Sequence, residues 1–313
     1  MQSILTEGLI YGLMVLGVFI TFRILNFADM TVDGSFPLGA CITATLLVNN
    51  FNPFFAVFFA ILGGAVAGAI TAVLHTKLKI PGLLAGILTM TMLYSVNLRI
   101  MSNRANLSLL RINTIFTTVA EKLHPFMQSE TAVIIFLLVL VLAVKILLDL
   151  FFHTDFGLIM GALGSNPQLV TSQGMNPEIV KGVGVCIANA LAALAGSMAA
   201  MYQGFADVGS GTGVVVSGLA SLMIGEFLFR SNKIVILTLR VLFGSIIYRM
   251  LMYFARSYGY LINMSPNDLK LITGLLIVAC LIITQTDIIH RFKLRTNKTK
   301  KNEKSAYKGG QNK

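Results

Sequence analysis

Long apolar stretches, separated by short polar segments, make up most of this 313-residue chain. Three of these stretches contain no Asp, Glu, Lys or Arg: Pro53–Leu74, Ile80–Leu98 and Gly182–Ala206. A helix of about 20 apolar residues crosses the hydrocarbon core of a bilayer, which is about 30 Å thick. Lipid offers no partners for backbone polar groups, so these stretches predict membrane-spanning helices.

The same pattern continues along the chain and predicts about nine spans. In order, they are Gly8–Phe27, Ser35–Val48, Pro53–Leu74, Pro81–Ile100, Thr131–Leu148, Glu178–Gln203, Val214–Phe229, Lys233–Ala255 and Leu269–Ile289. The second and seventh are short for a full crossing, which is typical of a broken or re-entrant helix buried among its neighbours. We therefore expect an all-α fold over residues 1–290, a polytopic membrane helical bundle with one or two broken or re-entrant helices.

Composition and charge add an orientation to this picture. Hydrophobic residues make up 56% of the chain and charged residues only 12%, whereas soluble domains are about a quarter charged. Residues 291–313 form a basic tail with nine Lys or Arg against one Glu, a composition that predicts disorder. The positive-inside rule places this tail in the cytoplasm, and nine spans then place the amino terminus outside. Anionic lipid accounts for the tail better than nucleic acid does, because no folded basic face or interleaved aromatic residues accompany it.

One polar segment between two apolar runs has clear helix signals. Asn166 is a good N-cap, Pro167 suits the first helical position, and Gly174 suits the position beyond the last turn. These residues predict a two-turn helix over Pro167–Gln173, and Asn176 and Pro177 repeat the start signal for the next span. So short a helix needs a partner surface. Two readings stay open: it packs on its own protein's inner face, or it fits a groove in a cytoplasmic subunit.

Several stretches resemble ABC importer permeases of the branched-chain amino acid and ribose type. The first is HTDFGLIMGALGSNPQLVTSQGMNPEIVKGVGVCIANALAALAG, which is similar to the coupling-helix region of that family. The opening GLIYGLMVLGVFITFRILNFADMTVDGSFPLGA is similar to its amino-terminal pattern. The late pieces GTGVVVSGLASLMIGE, TLRVLFGSIIYR and SPNDLKLITG are most similar to its tryptophan/tyrosine transport branch. The resemblance covers Gly8 to Gln285.

This resemblance implies a permease of the bacterial inner membrane that imports an amino acid, aromatic in that branch. It implies a second permease copy, an extracytoplasmic substrate-binding protein and a cytoplasmic ATPase docked on residues 155–177. The coupling residues it implies are Leu163, Gly164, Asn166, Pro167, Gln168, Thr171, Gly174, Asn176 and Pro177. The chain has no GxxxxGK[ST] phosphate loop. We therefore expect it to bind no cofactor and the partner to use the ATP and Mg²⁺.

Polar and charged residues also interrupt the apolar runs. The stretch NFADMTVDGS carries four candidates for a substrate pathway, Asn26, Asp29, Thr31 and Asp33. Pro and Gly nearby predict broken backbone, which lipid tolerates only beside protein or a water-filled cavity. The other reading is a polar turn at the membrane surface, with Asp33 capping the following helix.

Two arginines fall inside one later span. A buried Arg in a span must pair, snorkel or face water. Arg240 is a candidate to meet Glu226 or a substrate carboxylate, so a structural ion pair and a place in the pathway both stay open. Glu226 could equally be a helix-end charge at the inner surface. Arg249 lies on the opposite helix face, from which it could reach the outer headgroups.

Small residues at four-residue spacing predict close helix packing, at Gly64, Gly68, Ala188, Ala192 and Gly196. Contacts within one subunit are favoured over contacts between two copies. The three cysteines and four histidines have no metal-ligand spacing, and no catalytic constellation is present, so we expect neither a metal site nor an enzyme.

The leading hypothesis is therefore an importer permease moving a small polar solute by alternating access. The alternative is an ion-coupled secondary carrier with a midplane site around Asp29 and Asp33. An inverted-repeat carrier should have matching broken segments in its two halves. NFADMTVDGS and Phe205–Gly213 share only the short FAD sequence.

Overall fold

The computed structural model describes residues 2–123, 128–228 and 234–258, with the isolated positions Leu271, Gly274, Leu275 and Val278. The helices are α1 (Gln2–Val18, continued as a π-helix over Phe19–Ile24), α2 (Val32–Val48), α3 (Pro53–Thr76), α4 (Gly82–Ile100), α5 (Ile115–Leu123), α6 (Ser129–His153), α7 (Asp155–Ser165), α8 (Pro167–Ser172), α9 (Pro177–Gln203), α10 (Val214–Leu228) and α11 (Ile234–Tyr258). Strands β1 (Asn106–Ser108) and β2 (Phe205–Asp207) form an antiparallel ribbon, and a 3₁₀ turn (Val208–Gly211) follows β2.

The predicted all-α membrane bundle is confirmed. Within the described ranges, seven helical segments are long and apolar enough to cross a membrane, and α2 is a shorter apolar helix. Eight of the nine predicted spans therefore coincide with helices. The ninth, Leu269–Ile289, lies outside the described residues apart from the isolated positions, as does the tail 291–313, so the count of nine stays a prediction.

Helix α9 is the centre of the bundle and packs against α1, α2 and α3. Small residues let the backbones meet closely. A Cβ added at Gly39 of α2 would lie 2.0 Å from the Ala193 carbonyl oxygen, and one added at Gly196 would lie 1.8 Å from that of Phe36. Any larger residue at these positions would force the helices apart.

The two ends of the bundle differ. At one end, the β1–β2 ribbon joins the segments that follow α4 and α9; we call this the ribbon end. At the other, α7 and α8 connect α6 to α9; we call this the α8 end. The close approach of Gly164 to the Ile24 carbonyl fixes the last turn of α1 at the α8 end, so the amino terminus of α1 lies at the ribbon end.

Candidate functional site

The segment around α8 folds as its capping residues predict. The Asn166 side-chain oxygen accepts hydrogen bonds from the backbone N–H groups of Gln168 (3.1 Å) and Leu169 (3.3 Å). Gly174 has a φ of 77°, the left-handed conformation that ends a helix and favours glycine. Asn176 then caps α9 by accepting from the Glu178 N–H at 2.9 Å. Two asparagine caps and one glycine therefore define α8.

Helix α8 projects from the rest of the described chain. Gln168, Leu169 and Thr171 are exposed, whereas Val170 is fully buried. One apolar residue thus anchors the helix, and its remaining side chains face outward. This arrangement fits a docking surface, because no described part of the chain covers it.

The end of α7, which precedes α8, packs closely against the end of α1. A Cβ added at Gly164 would lie only 1.9 Å from the Ile24 carbonyl oxygen. A Cβ added at Gly184 of α9 would lie 2.5 Å from the buried Leu25 side chain and 3.3 Å from the Met160 sulfur of α7, so these three residues pack in one region of the core. A displacement of α7 and α8 would therefore act directly on the chain that leaves α1.

Residues 25–31, which connect α1 to α2, are not helical. Asn26 adopts a φ of 49° and is exposed, whereas Asp29 is fully buried. The Asp29 carboxylate accepts from the Thr31 N–H and from the Asn189 side-chain amide, both at 2.8 Å. Asn189 lies near the middle of the membrane-length helix α9, so this carboxylate sits deep in the bundle.

Further polar side chains complete the network around Asp29. The Ser35 hydroxyl donates to the Asn189 side-chain oxygen at 2.6 Å, and the Thr31 and Thr71 hydroxyls share a hydrogen bond of 2.7 Å. All five side chains are fully buried. The network joins the start of α2 to α3 and α9 through satisfied hydrogen bonds, which fixes its geometry.

Asp33 has a different role from the cap predicted for its own helix. Its carboxylate accepts from the backbone N–H groups of Gly213 (3.1 Å) and Val215 (2.7 Å), so it caps α10. The cause is a close approach: a Cβ added at Gly211 would lie 1.9 Å from the Asp33 carbonyl oxygen. Of the two readings left open, the one in which Asp33 caps its own helix is therefore wrong.

The two stretches that share the FAD sequence meet at this point. Each aspartate accepts from the backbone N–H two residues further on, Asp29 from Thr31 at 2.8 Å and Asp207 from Gly209 at 2.7 Å. The stretch after Asp207 then packs on the start of α2. Sequence reasoning noted the similarity but had no signal for the contact.

A cavity of about 400 Å³ opens beside Asp33. It lies between the start of α2, the part of α4 nearer the ribbon end and the segment before α10. Its lining is Asp33, Gly34, Pro37, Met90, Thr91, Tyr94, Asn97, Val208, Thr212 and Gly213. The predicted pathway residues Asn26, Asp29 and Thr31 are absent from this lining. The cavity therefore brings together Asp33 and residues that the sequence did not single out.

Arg240 lies away from these carboxylates. Its guanidinium pairs with Glu226 at 2.8 Å, and Arg23 pairs with the same Glu226 oxygen at 2.9 Å. Arg240 is buried, whereas Arg23 is largely exposed. The pairing with Glu226 is therefore present, and it ties α11 and α10 to the last turn of α1.

Arg249, which could reach the outer headgroups from its helix face, packs against α1 instead. Its guanidinium carbon lies 3.3 Å from the centre of the Tyr11 ring, and one nitrogen lies 3.4 Å from a Glu7 oxygen. A cation over an aromatic face is attracted by the ring electrons, which holds this arginine against α1.

An ion pair inside α6 was missed. Lys145 and Asp149 are both buried, and the Lys145 Nζ lies 2.5 Å from the Asp149 Oδ2. The Thr238 hydroxyl of α11 donates to the Asp149 Oδ1 at 2.7 Å. The predicted span ends at Leu148, whereas α6 continues to His153 and so includes Asp149. The four-residue spacing of opposite charges was the available signal.

The small-residue positions all lie at contacts within one chain. Each of the three glycines lies against a backbone carbonyl of a neighbouring helix: Gly64 against Asn189, Gly68 against Val185 and Gly196 against Phe36. The Ala188 carbonyl lies against Gly17 of α1. Ala192 is fully buried in the core. Among the described residues, no three His, Cys, Asp or Glu side chains come together as a metal site would require.

A bundle of membrane-length helices, with buried polar side chains at mid-depth and an exposed capped helix at one end, is a membrane permease. The chain belongs to the family described as branched-chain amino acid transport system / permease component, whose model matches residues 1–281.

The chain is also similar to individual proteins and to a solved structure. The chain is 43% identical over 279 residues to a tyrosine transport system permease protein of Clostridioides difficile (strain R20291), covering 89% of each chain. It is 34% identical over 275 residues to an uncharacterized protein of Rickettsia prowazekii (strain Madrid E), covering 87% of this chain and 93% of that one. The structure of PsaBC from Streptococcus pneumoniae in complex with Fab matches 89% of this chain and 90% of its own, with a TM-score of 0.51 and 12% identity. That likeness concerns the fold alone.

Proposed function

We propose that this chain is the permease subunit of an ABC importer that moves an amino acid of the tyrosine type into a bacterial cell. The observation that carries the proposal is the exposed helix α8, anchored by Val170 and fixed through Gly164 to the end of α1. The name of the Clostridioides difficile relative supports the choice of substrate. The energy comes from a separate ATPase that uses ATP and Mg²⁺.

Docking of that ATPase on α8 would move the pathway as follows. A push on α8 reaches α7, whose Gly164 touches the Ile24 carbonyl. From there the chain runs through Leu25, which packs beside Gly184 of α9, to Asp29 and its partner Asn189. Alternating access would then follow from motion of residues 25–31 and of α2 against α9.

The importer also requires partners outside the chain. We propose an extracytoplasmic substrate-binding protein docked at the ribbon end and a second permease copy, since pairs with two-fold symmetry are the commonest assemblies. A carboxylate such as Asp33 is costly to expose to hydrocarbon, so the cavity beside it favours a protein surface there. This arrangement places the α8 end and the basic tail in the cytoplasm and the chain in the inner membrane.

Cysteine crosslinking tests the proposal. With the three native cysteines replaced by alanine, Gln168→Cys and Thr171→Cys should each crosslink to the ATPase subunit in membranes. Ser108→Cys, exposed on β1 at the ribbon end, is the matched control and should give no such product. Full uptake by the purified permease without any ATPase would exclude the importer.

The ion-coupled carrier is the second candidate, because Asp29 is a buried carboxylate for which the described residues show no ion pair. The same purified permease in proteoliposomes separates the two candidates. Uptake driven by a proton or sodium gradient alone would favour the carrier. Uptake that requires the ATPase and ATP would favour the importer.

A further inference from the structure

The cavity beside Asp33 has the size and position of a small-molecule site. Its volume of about 400 Å³ falls within the range of roughly 300–1,000 Å³ that such sites occupy. One wall is the part of α4 nearer the ribbon end, where Asn97 lies three residues before the last residue, Ile100. A solute arriving at the ribbon end would therefore reach this cavity before the Asp29 network.

Asn97 leaves one acceptor unused at this cavity. The residue is fully buried, and its amide nitrogen donates weakly to the Gly34 carbonyl oxygen at 3.4 Å. Its side-chain oxygen Oδ1 is buried without a hydrogen-bond partner in the described part of the chain. Buried polar atoms are nearly always paired, so an unpaired one at a cavity indicates a missing donor.

Asp33 supplies a negative charge to the same cavity. It forms none of the ion pairs found across residues 2–123, 128–228 and 234–258, and both its oxygens accept only backbone N–H groups. Each carboxylate oxygen has a second lone pair available. A carboxylate and an unpaired amide oxygen together favour a ligand group that is positively charged and donates hydrogen bonds.

The remaining lining fits an apolar or aromatic body. Pro37, Met90 and Val208 present aliphatic surface, and Tyr94 offers an aromatic ring. The Thr91 and Thr212 hydroxyls can both donate and accept. The cavity therefore combines one polar corner that accepts hydrogen bonds with apolar walls.

We propose that this cavity binds the primary ammonium group of the transported amino acid between Asp33 and Asn97, with the side chain against Met90 and Tyr94. An ammonium group has three donors, which match the Asp33 carboxylate, Asn97 Oδ1 and one threonine hydroxyl. The inference rests on the proposed function and deepens it, because it names the chemical group that the permease itself recognises.

Competition experiments on the assembled permease and ATPase in nanodiscs test the ligand class. The probe is radiolabelled L-tyrosine. Tyramine keeps the ammonium group without the carboxylate, and 3-(4-hydroxyphenyl)propionate keeps the carboxylate without the ammonium group. We expect tyramine to compete and the propionate to fail. Competition by the propionate alone, or no binding of either L-tyrosine or tyramine at millimolar concentration, would overturn the site.

Variants at the polar corner test the residues. Asn97→Leu keeps the approximate size but removes the acceptor, so tyramine affinity should fall at least tenfold. Asn97→Asp keeps an acceptor and adds charge, so it should bind tyramine at least as tightly as the unchanged chain. The control is Gln128→Leu, an exposed position before α6 that should bind normally. Unchanged affinity in Asn97→Leu, or loss in Asn97→Asp with intact complex assembly, would contradict the proposal.

These results are separable from those on the importer. If α8 crosslinks to the ATPase and tyrosine uptake needs ATP, yet Asn97→Leu binds tyramine normally, the proposed binding site is wrong and the importer proposal is supported. If tyramine binding depends on Asn97 but α8 shows no crosslink and uptake needs no ATPase, the importer proposal is wrong and the proposed binding site is supported.

Discussion

At the scale of single residues, Asn189 connects the buried polar side chains near the middle of the bundle. Its amide nitrogen donates to Asp29 at 2.8 Å and to the Val185 carbonyl at 2.9 Å, and its oxygen accepts from Ser35 at 2.6 Å. All three side chains are fully buried, away from bulk water that could replace a lost partner. Removing the amide therefore leaves a carboxylate and a hydroxyl without their donor and acceptor.

Asn189→Leu should lower the free energy of unfolding by on the order of 3 kcal/mol, since a buried charged group loses a partner. Ser35→Ala removes one hydroxyl and should cost less, about 1 kcal/mol. Thermal unfolding of the purified chain in detergent measures both. Equal midpoints for the two variants would mean that Asp29 does not depend on Asn189.

The sequence marked some of these residues and missed others for a physical reason. Asp29 and Thr31 stood out because polar residues interrupt an apolar run. Asn189 and Asn97 are single amides inside long apolar helices, where one polar residue is common and carries no periodic signal. Their roles depend on contacts between residues more than 60 positions apart.

At the scale of helices, local sequence signals were sufficient to predict where α8 begins and ends. Asn166, Gly174 and Asn176 gave the bounds of α8 to within one residue, because capping depends on the immediate neighbours. The fold-back of the segment before α10 onto α2 was not predictable in this way. It results from the close approach of Gly211 to the Asp33 carbonyl, between residues far apart in the chain.

Helix α7 offers a matched pair of glycines for testing the link between α8 and α1. A Cβ at Gly164 would lie 1.9 Å from the Ile24 carbonyl oxygen, whereas a Cβ at Gly161 meets nothing within 4 Å. Gly164→Ala should therefore displace α7 from α1 and reduce uptake at least tenfold while ATP hydrolysis continues. Gly161→Ala should leave both activities unchanged.

Uptake per ATP hydrolysed by the reconstituted complex measures this coupling. Equal ratios for the two alanine variants would show that the contact between Gly164 and Ile24 carries no motion. Loss of hydrolysis together with uptake in Gly164→Ala would point instead to failed docking of the ATPase.

At the scale of the whole molecule, the fold gives the two ends different surroundings. The last turn of α1 reaches the α8 end at Gly164, and the ribbon lies at the other end of α9. The basic tail of residues 291–313 is one charge-based guide to which end faces the cytoplasm, and it lies outside the described residues. We propose that α8 faces the cytoplasm, because the positive-inside rule predicts a cytoplasmic tail and the four predicted spans between α8 and the tail put both on one side.

Labelling of intact cells tests this orientation. In a chain whose three cysteines are replaced by alanine, Ser108→Cys at the ribbon end should react with a membrane-impermeant maleimide added outside. Thr171→Cys on α8 should react only after the membrane is permeabilised. Both positions are exposed, so a difference in labelling reports the side of the membrane and not burial. If Thr171→Cys is labelled on intact cells and Ser108→Cys is protected, α8 faces outward, where no ATP-driven subunit can dock, and the importer proposal fails with the orientation.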